Sequence, residues 1–147
     1  MRLSNDLREF IELLNSRGVE YLIVGAYSLA FHARPRFTGD LDILVRPTIE
    51  NAMKLVDALH QFGFGASDFS ASDFTEPEQV IQLGRPPNRI DLLTSISGVS
   101  IEDAFSNEVA APLDGLPVAF LSKELLIANK RAVGRSQDLA DLESLGE

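Results

Sequence analysis

Leu3, Leu7, Phe10, Ile11 and Leu14 recur at the spacing of one helical face, with Ser4, Asn5 or Asp6 placed to cap the start and Gly18 to stop it. The period then changes. Residues 19–24 form a short apolar-rich run that predicts a strand, Gly25 ends it, and Leu29, Ala30 and Phe31 suit a short helix. From Asp40 to Val45 aspartates alternate with apolar residues, the period of a strand with one polar face. Pro47 and Thr48 open a long helix through Ala52, Leu55, Val56 and Leu59 that closes at Gly63. Residues 64–77 are crowded with Gly, Ser and Asp and carry Ala-Ser-Asp-Phe twice, which predicts a surface loop with two aromatic anchors. Strands are predicted at 79–83 and 89–93 around a turn at 84–88, then a helix over 101–109 capped by Ser100 and a short strand at 117–121. Ser122 caps the next helix, whose Leu125, Leu126 and Ile127 face inward. After a break at Gly134, a final amphipathic helix over 135–145 runs through Leu139, Leu142 and Leu145. These elements predict an α/β (α+β) fold, a mixed sheet flanked by helices, in one domain over 1–147.

Composition narrows the partners. At 147 residues with 45% hydrophobic content, the chain can bury a sizeable core. A formal net charge of −9 disfavours non-specific binding along nucleic-acid backbones, which needs a basic face. With no cysteine there is no disulfide, thiolate metal site or thiol nucleophile. The longest apolar run, 21–31, is broken by Gly25 and Ser28 and is too short to span a bilayer, and residues 1–6 lack the apolar core of a signal peptide. A cytoplasmic protein without membrane contact is expected.

The chemistry concentrates between Gly25 and Val45. Asp40 and Asp42 project from one strand face roughly 6.5 Å apart, an arrangement that repels on a half-buried surface. Divalent cations remove the repulsion, and ligands that are all oxygen favour Mg²⁺ or Mn²⁺. Asp91, an acid in an otherwise apolar strand, is the candidate third carboxylate. Read alone it fits an ion pair with Arg89 or Arg36. On a strand next to Asp40 and Asp42, it would complete a site able to hold two ions about 4 Å apart for phosphoryl or nucleotidyl transfer. Gly25, Ala26, Tyr27 and Ser28 fit a phosphate-binding turn, with backbone N–H groups at a helix start and a hydroxyl facing the anion. Arg34 and Arg36 suit either phosphate neutralisation or a solvated turn, and His32 and His60 lack a third partner for zinc.

Gly25-Ala26-x-Ser28, followed by Arg36-Phe37-Thr38-Gly39-Asp40-Leu41-Asp42, resembles the nucleotidyltransferases of the DNA polymerase β-like superfamily. The segments 84–93 and 123–142 are similar to those of minimal bacterial members, the AbiEii-type toxin nucleotidyltransferases and their short single-domain relatives. The resemblance implies a polymerase β-like nucleotidyltransferase fold and transfer of a nucleoside monophosphate from a nucleoside triphosphate to an acceptor hydroxyl. It implies that Asp40, Asp42 and Asp91 bind Mg²⁺ or Mn²⁺ and that Asp91 activates the attacking hydroxyl. Gly25, Ala26, Ser28, Arg36 and Thr38 would lie at the nucleotide, and Lys130 and Arg135 would reach phosphate or acceptor. Ala26 stands where the family has Gly or Ser, and its methyl would crowd a phosphate. The acceptor, whether RNA, protein or small molecule, stays open. So do three further readings: the toxin half of a toxin–antitoxin pair with an antitoxin partner, a homodimer, and a non-catalytic module that binds nucleotide or protein.

Overall fold

The computed structural model describes residues 2–33, 40–65, 67–85 and 88–147. Helix α1 (Asn5–Ser16) leads to β1 (Tyr21–Val24), α2 (Gly25–His32), β2 (Asp40–Val45) and α3 (Ile49–Phe62). A 3₁₀ turn (Ala71–Phe74) precedes β3 (Val80–Leu83), β4 (Arg89–Leu93), α4 (Ile101–Ser106), β5 (Val109–Leu113), β6 (Leu116–Phe120), α5 (Lys123–Val133) and α6 (Ser136–Ser144). The strands form one six-stranded sheet in the order β3-β4-β2-β1-β6-β5. It is mixed: β1 is antiparallel to β2 and parallel to β6, while β2 runs parallel to β4.

Helix starts follow local chemistry. The side chains of Ser4, Thr48, Ser100 and Ser122 accept hydrogen bonds from Leu7, Asn51, Asp103 and Leu125 N–H groups that no helical carbonyl can reach. Both sheet faces are covered. On one, Phe10, Leu14, Ile23, Ile43, Leu55 and Leu59 join α1 and α3 to the strands, and Phe74 is fully buried among them. On the other, Leu22, Val24, Leu44, Leu121 and Leu126 meet α2, α4 and α5. Burial on both faces explains the continuous apolar reading of β1. The period of two puts Asp40 and Asp42 on the same face as Leu44.

Two expectations need correction. The helix over 101–109 stops at Ser106, and Val109 opens β5, which the apolar pattern did not reveal. The strand lies at the sheet edge, alternates half-buried with exposed positions and contains Pro112, which only an edge strand tolerates. The final helix begins at Ser136, and Leu139 is 55% exposed. Its buried face instead carries Asp138 and Asp141 beside Leu142, because Lys130 of α5 lies opposite. The loop after α3 contains the Ala71–Phe74 turn, whose capping pair, Ser70 and Asp73, turns Phe74 into the core. Phe69 packs nearby against Phe64 and Phe74, so both phenylalanines of the repeat serve as anchors.

Candidate active site

The register between β2 and β4 sets Asp42 directly beside Asp91 and Asp40 beside Arg89. The three carboxylates therefore gather on one sheet face, where α2 begins. Across the other edge of β2, Val24 pairs with Asp42, so the chain enters α2 at the carboxylate itself. Gly25 has φ +66°, and a Cβ built there would lie 2.2 Å from Asp42 Oδ2. A side chain and this carboxylate cannot share the space. The glycine is thus explained first by Asp42 and by its left-handed backbone.

Electrostatics follow from the crowding. Burial pushes the Asp42 carboxyl up to about 7, and the Asp91 charge, a hydrogen bond shared with Asp91 and the Asp40 charge add to it, while Arg89 opposes them. Tyr27, buried on α2, is also shifted upward, first by burial and then by the Asp40 charge. In the sequence Tyr27 carries no signal beyond membership of the turn. Arg89 bridges the cluster: one terminal nitrogen donates to Asp40 Oδ2 at 2.9 Å and to Asp91 Oδ2 at 3.2 Å. Its Nε lies 3.1 Å from Asp91 Oδ1. That approach lacks hydrogen-bond geometry, so both Arg89 Nε and Asp91 Oδ1 are buried without a hydrogen-bond partner. The acid cluster and the Asp91–Arg89 ion pair are therefore present together.

In this arrangement, no three His, Cys, Asp or Glu side chains among the described residues are set to hold one metal ion. The donor set still fits a hard divalent cation. Its ligands are carboxylate oxygens on adjacent strands in register, and the buried Asp91 Oδ1 lacks the hydrogen bond that a cation would replace.

Other expected site residues fall in different places. Ser28 is fully buried and its hydroxyl donates to the Leu121 carbonyl at 3.5 Å, so it does not face an anion at the start of α2. Lys130 is also interior at 6% exposure, with Nζ 2.9 Å from Asp141 and 3.4 Å from Asp138. The expectation that it reaches phosphate or acceptor gives way to a buried ion pair between α5 and α6. Arg135 is exposed, and its Nε donates to Asp138 at 2.8 Å. That hydrogen bond is the largest cause of the upward shift of Arg135. Ala26 is half-buried in the first turn of α2. Arg36 and Thr38 lie outside the described residues.

No curated protein matches the chain. Among solved structures, the proposed nucleotidyltransferase TM1012 from Thermotoga maritima matches with a TM-score of 0.63 at 18% identity, over 93% of this chain and 88% of that one. The lincosamide antibiotic adenylyltransferase LnuA, solved with lincomycin bound, matches with a TM-score of 0.63 at 13% identity, over 99% and 97%. ANT(2'')-Ia, solved in complex with adenylyl-2''-tobramycin, matches with a TM-score of 0.57 at 14% identity, over 95% and 83%. At these identities the likeness is one of fold, and the mixed sheet with its flanking helices is the nucleotidyltransferase fold. A family profile spans residues 3–147, and the chain belongs to that family, the nucleotidyl transferases of unknown function (DUF2204).

Proposed function

We propose that the chain is a one-domain enzyme that moves a nucleoside monophosphate from a nucleoside triphosphate to an acceptor hydroxyl, with Mg²⁺ or Mn²⁺ held by Asp40, Asp42 and Asp91. The observation that carries this reading is the Asp42–Asp91 register together with the clearance that Gly25 leaves for Asp42. A fold selected for stability alone has no use for three acids gathered on one half-buried face. When bound, the divalent cation supplies charge neutralisation for the triphosphate and polarises the reacting phosphoryl group.

The chain's own residues supply the rest. Asp91 accepts the proton of the acceptor hydroxyl as that oxygen bonds to the α-phosphorus and pyrophosphate leaves. The first turn of α2, at Gly25 and Ala26, offers backbone N–H groups to a phosphate oxygen. Arg135, Arg36 and Thr38 are assigned to phosphate binding in this reading on the family resemblance, and catalysis is mainly positioning and charge neutralisation. The net charge of −9 favours a small-molecule or protein hydroxyl over a long RNA backbone. LnuA is named an adenylyltransferase, and ANT(2'')-Ia was solved with an adenylylated aminoglycoside, which makes ATP the first donor to test.

The test is incubation with each α-labelled nucleoside triphosphate and Mg²⁺ or Mn²⁺, followed by a search for label on small molecules, protein and RNA. Metal-dependent transfer that disappears in Asp42→Asn is expected. Transfer unchanged in that variant would overturn the assignment.

A further inference from the structure

The guanidinium of Arg89 spans the strand pair that carries the acids, within 2.9 Å of Asp40 and 3.1 Å of Asp91. Its position is dictated by the register: Arg89 stands directly opposite Asp40, two residues before Asp91 on the same strand face. A planar cation thereby sits between two of the three carboxylates assigned to the divalent site. Consistent with that, no three acids converge on a metal among the described residues as the side chains stand. The fit is imperfect, since Arg89 Nε and Asp91 Oδ1 are buried and close but unbonded. The Arg89 side chain is 30% exposed, so its end has a route toward solvent without disturbing the core.

We propose that Arg89 is a positioning residue that holds Asp40 and Asp91 in the metal-free protein and is displaced when the divalent cation binds, its freed charge then available to the triphosphate. The proposal rests on the metal-dependent reading above and deepens it. Two effects follow from the charges alone. Cation and guanidinium compete for the same oxygens, so the divalent cation by itself binds weakly. A triphosphate gives the displaced guanidinium a new anionic partner, so metal and nucleotide each strengthen the binding of the other. Arg89 in this role makes the site selective for the metal–nucleotide pair over either alone.

The test is Mn²⁺ binding to the intact chain, followed by electron paramagnetic resonance, with and without a non-hydrolysable triphosphate analogue. The parent is compared with Arg89→Met, Arg89→Lys and Asp42→Asn. Arg89→Met should bind Mn²⁺ alone about tenfold more tightly than the parent, the scale of one released charge-assisted hydrogen bond. The analogue should strengthen Mn²⁺ binding clearly more in the parent than in Arg89→Met. Arg89→Lys keeps the charge without the two-pronged geometry and should fall between them, which keeps the proposal testable where the Met variant does not fold. Equal or weaker Mn²⁺ binding in both Arg89 variants, with binding lost in Asp42→Asn, would overturn the role of Arg89 and leave the metal site standing. Absence of Mn²⁺ binding in the parent and in both Arg89 variants, with or without the analogue, would overturn the metal site and the Arg89 proposal together.

Discussion

Asp42 is the residue on which the site's energetics turn. Folding raises its carboxyl from 3.8 to about 7, chiefly through burial and then through Asp91 and Asp40. Between those values the native protein holds more protons than the unfolded chain. The contribution of this group is therefore fully present below about pH 4 and is lost as the pH rises through about 7. Asp42→Asn removes the titration while keeping the shape. In EDTA at alkaline pH it should be more stable than the parent by on the order of 1 kcal/mol, and the difference should vanish near pH 4 in urea unfolding. Gly25 gives a second expectation. In Gly25→Ala a methyl would meet Asp42 Oδ2 at 2.2 Å on a backbone at φ +66°. A loss of roughly 1–3 kcal/mol is expected, and an Asp42→Ala background should restore the steric part but not the backbone part. The acids were legible in the sequence because alternation and an isolated polar residue in a strand are local signals. The reason for Gly25 was not, since the carboxylate it accommodates sits across a strand pair.

The joint between α5 and α6 shows the same division. The caps at Ser4, Thr48, Ser100 and Ser122 could be read from sequence because each acts within its own turn. The family resemblance implied a ligand-facing Lys130, and nothing local opposed it, because its partners, Asp138 and Asp141, lie on the following helix and carry no pattern that binds them to it. The edge strand β5 was missed for a similar reason: its stabilising partner is β6, and Pro112 argued locally against a strand. Removing Lys130 leaves two buried acids without their ammonium. Lys130→Met should therefore destabilise the protein by about 3–5 kcal/mol, read as an equilibrium unfolding midpoint. An unchanged midpoint would return Lys130 to a role in ligand contact. Arg135 is exposed but its Nε donates to the buried Asp138, so its truncation should cost about 1–3 kcal/mol, less than loss of Lys130, while weakening triphosphate binding.

At the scale of the whole molecule, ligand binding and stability are one measurement. If the acids bridge a triphosphate through a divalent cation, nucleotide at about 100 times its dissociation constant should stabilise the fold by about 2.7 kcal/mol in Mg²⁺. The same nucleotide in EDTA should add little, because three carboxylates then repel it. Equal melting shifts with and without Mg²⁺ would remove the bridged arrangement. Among the described residues no helix is long and apolar enough to cross a membrane. The pairing of β2 with β4 also sets a clock. Asp40 and Arg89 are 49 positions apart, and their contact closes a long loop that folding must order before the cluster exists. Groups joined at such separation tend to meet late on the route to the native state. A ligand that recognises only the finished cluster should lengthen the lifetime of the folded protein and leave the rate of refolding almost unchanged.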